Sequence, residues 1–371
     1  MAFTGQLRSN EIFAALYNMI ISQQVFAENL KGTNSTLADM MRVDGSMYGD
    51  TKLYYATNCL ESVDWMNDAE AANLLDLDRP EAPEVQAIYL DKFRQIRLTV
   101  DNYLSKRAWS DEGTFSSFNS VMLGWIRDTK KLYDSKLVNA YVGTTETDEG
   151  KQTQSITVKD GDNFGLLVAE KLANVLVELK DADYDYNDYG FIRSYDESDF
   201  IVVFNSETYN AIKKIDLPVI FHKEGLIDEF KQVILPAKYF GEVVGTSGTS
   251  TTNSNNISVR SLIEKKYQVA GASAHPRAKQ GKDGNYYVHC FPGDLLPNSV
   301  VYNQNEAYNT ADDIAFKIIH KRSVPFMSAF EVGTSFFNPR SLTENHYLTF
   351  GHNTLEYLKN YPFITVKVIE E

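Results

Sequence analysis

Cysteine is nearly absent: Cys59 and Cys290 are the only two in 371 residues, and they form neither a CxxC pair nor a disulfide framework. That leaves no basis for a thiolate zinc site and fits assembly in a reducing cytoplasm. Positive charge is also in deficit, with 36 Lys and Arg against 50 Asp and Glu and a formal charge of −14. A surface that grips nucleic acid everywhere needs the opposite balance, because cations neutralising phosphates dominate such binding. Only local basic patches remain. Long apolar runs are missing too. The longest, such as Phe200 to Phe204, are of strand length, and Asn18 interrupts the best N-terminal stretch, so neither a signal peptide nor a membrane span is read. The rest, 43% hydrophobic and 23% charged, is an ordinary globular balance, and the length suggests two or three compact units.

The catalytic templates fail one by one. A P-loop needs glycine, four residues, then Gly-Lys-Ser/Thr to surround phosphates; here Gly281-Lys282 is followed by Asp283, and Pro276 stands where the first glycine belongs. Gly241, Gly245 and Gly248 do not make GxGxxG. A nucleophile elbow needs small residues on both sides of its serine, and Gly271-Ala272-Ser273-Ala274-His275 lacks the second glycine. None of the six histidines belongs to an HExxH pair. Between 181 and 199 an acidic, Tyr-rich stretch can be counted as a calcium loop from Asp185, with Asn187 third, Gly190 sixth and Asp196 twelfth, but Tyr189 is fifth and a bidentate Glu is missing at the end. A solvated charge run is its default reading. No catalytic residue, cofactor or metal is therefore assigned.

What is present is an ordered set of elements. Ser9 can cap a helix carrying Ile12, Phe13, Leu16, Tyr17 and Ile20 on one stripe. Thr51, Leu53 and Tyr55 alternate as a strand, and a second extended run follows at Ile88 to Leu90 and Ile96 to Val100, so residues 44–100 read as a long hairpin with a loose tip. Phe118, Met122, Trp125, Thr129 and Leu132 mark the stripe of a helix over about 116–142, roughly 40 Å long. Thr114 or Ser116 would cap it, and Gly143 would close it in the left-handed conformation. A second amphipathic helix is expected over 163–180 behind Asp162 as cap, then the buried-type strand 200–204 and a short helix begun by Asn205 or Ser206. Helix, strand, helix suggests an α+β unit with a central sheet. Two polar runs, 245–256 and the basic 271–285, read as exposed loops.

This order of elements, with its best local matches at 49–55, 115–143 and 200–214 (Phe-Ile-Val-Val-Phe-Asn-Ser-Glu-Thr-Tyr within it), resembles the HK97-type major capsid protein of tailed bacteriophages. The resemblance implies an α+β HK97-like capsid fold: an N-terminal arm (1–43), an extended E-loop (44–100), a P-domain with the spine helix (101–150), an A-domain with the central sheet (151–311), P-domain return strands (312–350) and a C-terminal A-domain segment (351–371). It implies a head protein assembling as pentamers and hexamers of an icosahedral shell around double-stranded DNA, located in the virion capsid and assembled in the host cytoplasm. Partners would be other copies of itself, a portal, a separate scaffolding protein, and DNA touched non-specifically, with no membrane. Some relatives carry a cleaved scaffolding region before the spine helix, for which this sequence has little room. Some cross-link an E-loop lysine to a neighbour; Lys52 lies near that region and reads as an ordinary surface lysine.

On this reading Leu53, Tyr55, Ile88, Leu90 and Ile96 make intersubunit E-loop contacts, since a hairpin with little core of its own gains stability from a neighbour. Phe118, Met122, Trp125 and Leu132 form the core face of the spine helix. Arg277, Lys279 and Lys282 belong to an axial loop, with the acids of 181–199 as their expected partners. Two other readings stay open: an encapsulin-like nanocompartment with the same fold, and a hydrolase using Ser273 or the acids of 181–199. A tail or fibre component is disfavoured by the long helix.

Overall fold

The computed structural model describes residues 36–43, 50–62, 64, 79–101, 112–147, 150–213, 231–250, 257–260 and 265–370. In chain order these form α1 (Thr36–Met40), β1 (Arg42–Val43), β2 (Thr51–Ala56), β3 (Glu84–Val100), α2 (Glu112–Thr144), β4 (Thr153–Val158) and α3 (Phe164–Lys180). Then come β5 (Phe200–Asn205), α4 (Ser206–Lys213), β6 (Lys231–Leu235), β7 (Gly241–Val243), β8 (Gly248–Thr249), β9 (Ile257–Val259), β10 (Lys265–Val269) and β11 (Lys279–Gln280). The last are β12 (Tyr286–Cys290), β13 (Val301–Tyr302), β14 (Ala307–Thr310), β15 (Ile314–His320), β16 (Phe326–Asn338), β17 (Thr343–Asn353) and β18 (Phe363–Glu370).

The centre is a five-stranded sheet in the order β4-β18-β15-β5-β6. Every residue of β5 is buried, because both faces of the sheet are covered and successive side chains point to opposite faces. Phe200, Val202 and Phe204 join Val168, Leu172, Val175 and Leu176 of α3 in one apolar cluster, while Ile201 and Val203 join Tyr133, Leu137 and Tyr141 of α2 in another. Asn205 turns the chain from strand to helix: its Oδ1 accepts from the Glu207 amide, and its Nδ2 donates to the Ile314 carbonyl. The α3 helix is capped by Asn163, whose Oδ1 accepts from the Leu166 amide. The expected cap, Asp162, instead accepts from the Lys159 amide.

A second five-stranded sheet has the order β1-β16-β17-β3-β2. The 17-residue β3 serves two partners. Its first part pairs with β2, from Ala56↔Glu84 to Thr51↔Tyr89, and the remainder runs along β17 from Leu90 to Val100. The hairpin read from sequence is therefore present at its stem, but half of its return limb belongs to the sheet. The described residues within 241–310 form an insert of small sheets around Val259, Tyr267, Val288, Cys290 and Ala307. Part of the polar run expected as a bare loop is structured there: β8 pairs with β13, and the buried Ser250 hydroxyl donates to the Pro297 carbonyl.

Four expectations need correction. The long helix runs Glu112–Thr144 over 33 residues, about 50 Å, so Thr114 and Ser116 lie inside it. Gly143 is not a left-handed cap but a helical residue against the backbone of Tyr239. Its core stripe is Met122, Ile126, Lys130, Tyr133 and Leu137, a rotation of one residue that leaves Leu132 half-buried and Trp125 40% exposed. Lastly, 314–320, expected among return strands of the spine unit, is the middle strand of the central sheet, because its unbroken buried pattern demands cover on both faces. The N-terminal helix expected over 9–30 and the Phe118 side chain lie outside the described residues. Trp125→Ala is expected to cost about 1–2 kcal/mol in urea unfolding, against the 2–5 kcal/mol of a full core truncation such as Leu137→Ala; equal losses would place the indole back in the core.

Candidate functional site

The acids considered for chemistry are mostly engaged in structural contacts. Ser273 is exposed in a short turn, and the Nδ1 of nearby His275 accepts the Arg277 amide. In the acidic stretch, Asp183 and Asp185 both pair with Lys151 at 2.8 and 3.0 Å. Asp188 accepts from Thr147, Gln152 and the Tyr357 hydroxyl, Glu197 pairs with Lys180, and Asp199 lies 3.7 Å from Lys321. Asn187 bonds both the amide and the carbonyl of Phe191. Among the described residues no three His, Cys, Asp or Glu side chains converge to hold a metal, and no helix is long and apolar enough to cross a membrane.

The basic loop is likewise anchored, though not by the expected partner. Arg277 Nη1 lies 3.0 Å from Asp294 Oδ2, and Lys136 of α2 lies 2.9 Å from Asp294 Oδ1. The Asp294 carboxylate is 9% exposed, and its cationic partners with the Phe291 amide hold its pKa below the usual carboxylate range against the opposing effect of burial. This clamp ties the insert to the long helix. The 181–199 acids have other partners, so Arg277 is matched by a residue only 17 positions away. Lys279 and Lys282 remain exposed, while Asp283, which follows Lys282, is taken by Tyr287 and Asn285.

What remains is surface without cover. On the β2–β3 ribbon the registers Thr51↔Tyr89, Leu53↔Ala87 and Tyr55↔Val85 put these six side chains on one face. That face is apolar and exposed: Leu53 51%, Tyr55 64%, Val85 49% and Tyr89 59%. The opposite face carries Ile88, which with Leu90 packs on Met327 and Leu358 of the same chain. Ile96 packs beside Leu348 against the main core. Of the five residues expected to reach a neighbour, then, Leu53 and Tyr55 point outward, whereas Ile88, Leu90 and Ile96 do not. The two-residue period of the ribbon divides them, and the correct face could have been found by extending the Thr51-Leu53-Tyr55 alternation across to Val85 and Tyr89. At the far end of β16, Phe336 and Phe337 are 61% and 52% exposed on opposite faces of the strand, so each side of the ribbon's tip carries an exposed ring.

A single chain with such exposed apolar ribbons is built to be finished by other chains, and the known structures it resembles come from phage particles. The capsid structure of Staphylococcus phage Andhra superposes with a TM-score of 0.62 at 11% identity, covering 94% of this chain and 87% of that one. A structure of native bacteriophage P68, described for its head fibre and inner core protein gp22, gives a TM-score of 0.58 at 10% identity and covers 89% and 83%. No curated protein sequence matches. The fold is the HK97-like fold of tailed-phage capsids. The model of the Phi29-like phage major capsid protein matches residues 4–366, and the chain belongs to that family: it is a major capsid protein, a structural component of the phage head.

Proposed function

We propose that this subunit closes its shell as pentamers and hexamers around double-stranded DNA, with the β2–β3 ribbon as the E-loop laid across a neighbouring subunit. The α2 helix with the β3–β17–β16 ribbon makes the P-domain, and the central sheet with its insert makes the A-domain. The observation that carries this reading is the apolar face of Leu53, Tyr55, Val85 and Tyr89, which among the described residues has no core beneath it. A two-stranded ribbon gains its stability from a surface it packs on, and repeated head-to-tail contacts of that kind close into rings. The charge of −14 suits a container that holds DNA without gripping it. A portal and a separate scaffolding protein complete the assembly, which takes place in the host cytoplasm. The exposed Lys279 and Lys282 meet near the ring centre, where like charges repel unless solvent or acids intervene.

Leu53→Glu with Tyr55→Glu is expected to leave monomers that fold with unchanged circular dichroism and unfolding midpoint but form no shells by electron microscopy. Ile88→Glu, on the buried face of the same ribbon, should instead destabilise the subunit itself. Normal shell yield from the double variant would remove the ribbon from the interface.

A further inference from the structure

The insert sheet, in the order β10-β12-β11, leaves one edge of β10 open. Among the described residues β10 pairs with β12 alone, and no other backbone hydrogen bond reaches it. Alternate N–H and C=O groups of an edge strand point away from its partner and form a template for another strand. Along this edge lies a groove of ≈ 410 Å³, walled by residues 265–270 on one side and Ser299, Val300 and Val301 on the other. Val301 is 70% exposed there, although its backbone is tied to Thr249. Lys265 and Lys266 are exposed on its wall, and no acidic side chain lines it; Lys265 reaches Glu306 at 3.5 Å. The groove thus offers main-chain pairing, an apolar patch and positive charge at one end.

A matching strand exists elsewhere in the same chain. β4, Thr-Gln-Ser-Ile-Thr-Val, is an outermost strand of the central sheet and among the described residues pairs with β18 alone. It has no charged residue and no proline, the usual protections of an edge. Exposed Asp160 and Asp162 follow it, so with Lys159 that end has an acidic excess. The sheet's other outermost strand is β6, from which the chain runs on toward the insert. Two complementary edges on different parts of one chain are what a head-to-tail, ring-closing contact requires. We propose that β4 of one subunit adds antiparallel to β10 of the next, the sense that brings Asp160 and Asp162 to Lys265 and Lys266. The pairing rests on the shell reading above and names a second contact within it.

Hydrogen exchange of the full chain, free and in assembled shells, tests this directly. Amides of residues 153–158 and 265–269 should both exchange at least about tenfold more slowly in shells. Lys265→Glu with Lys266→Glu should lower shell yield, and adding Asp160→Lys with Asp162→Lys should restore it. Shells whose two edges exchange as in free subunits overturn the pairing while leaving the shell reading intact. Protection of 265–269 without 153–158 gives the groove to another segment and overturns β4 as its occupant. A wild-type chain that makes no shells under any condition overturns the shell reading and the pairing with it.

Discussion

Gly143→Ala is expected to destabilise the subunit by more than about 4 kcal/mol, at the extreme of single-residue effects, or to prevent folding. A Cβ at this position would lie 2.2 Å from the carbonyl oxygen and 2.7 Å from the carbonyl carbon of Tyr239. Both are backbone atoms, so no side chain can swing aside. Neither partner can yield easily. Tyr239 sits in a turn closed by bonds from its amide to Pro236 and from Phe240 to Ala237, and its ring is 6% exposed within the core. The helix end is fixed by Thr144 and Thr145 hydroxyls donating to Ala140 and Tyr141 carbonyls at 2.7 Å each. Gly124 in the same helix is the internal control, since a Cβ there meets nothing within 4 Å. Gly124→Ala should stabilise by about 0.5–1 kcal/mol from helix propensity. Chemical denaturation of both variants gives the comparison. A Gly143→Ala loss below 1 kcal/mol would show that helix and turn separate freely.

Gly143 also shows where sequence reading stops. A glycine just past an amphipathic stripe reads as a C-cap by local rules, whereas its role is set by a turn almost a hundred residues away in sequence. Elements governed by local periodicity were legible: the apolar run 200–204 as a central strand, the 3.6-residue stripe of α3, and the alternation at Thr51, Leu53 and Tyr55. Trp125 was misplaced because a broad apolar stripe fixes a helix but only loosely its rotation, and the buried positions of α2 include Lys130 and Asp134, paired at 3.0 Å. The Lys136–Asp294–Arg277 clamp joins residues with no sequence proximity between helix and insert, so charge composition could suggest only a partner for the basic loop, not which one. Lys317, in the middle of Ile314–His320, is by local rules the mark of a surface strand, yet it is fully buried in the central one.

That lysine leads to the second large effect: subunit stability should rise by about 2 kcal/mol between pH 7 and pH 9 through Lys317 alone. Its side chain is 0% exposed. Its Nζ donates to the Thr145 carbonyl at 2.7 Å, just beyond the end of α2, where helix carbonyls lack partners and carry partial negative charge. The Phe363 ring lies 5.8 Å away. Burial pushes its pKa down to about 7; Lys367 and Arg260 repel the charged form, while Glu146 and Asp313 favour it without offsetting the lost hydration. The unfolded chain keeps this proton to about pH 10.5, the folded one only to about 7. Between those values unfolding takes up a proton, so stability increases with pH; below pH 7 both states are charged and the full penalty of the buried ammonium is present. Other groups titrate in or near this window, notably Cys290, whose thiol burial pushes up to about 11, and the buried tyrosines, which oppose the trend at higher pH. They are common to Lys317→Met, so the comparison is made as a difference. The constant loss of the bond to Thr145 also cancels in the pH dependence. In urea unfolding of unassembled subunits at pH 7, 8 and 9, wild type should therefore gain about 2 kcal/mol relative to Lys317→Met across the series. Parallel curves would mean that Lys317 stays protonated in the fold, with Glu146 and the helix end holding its charge.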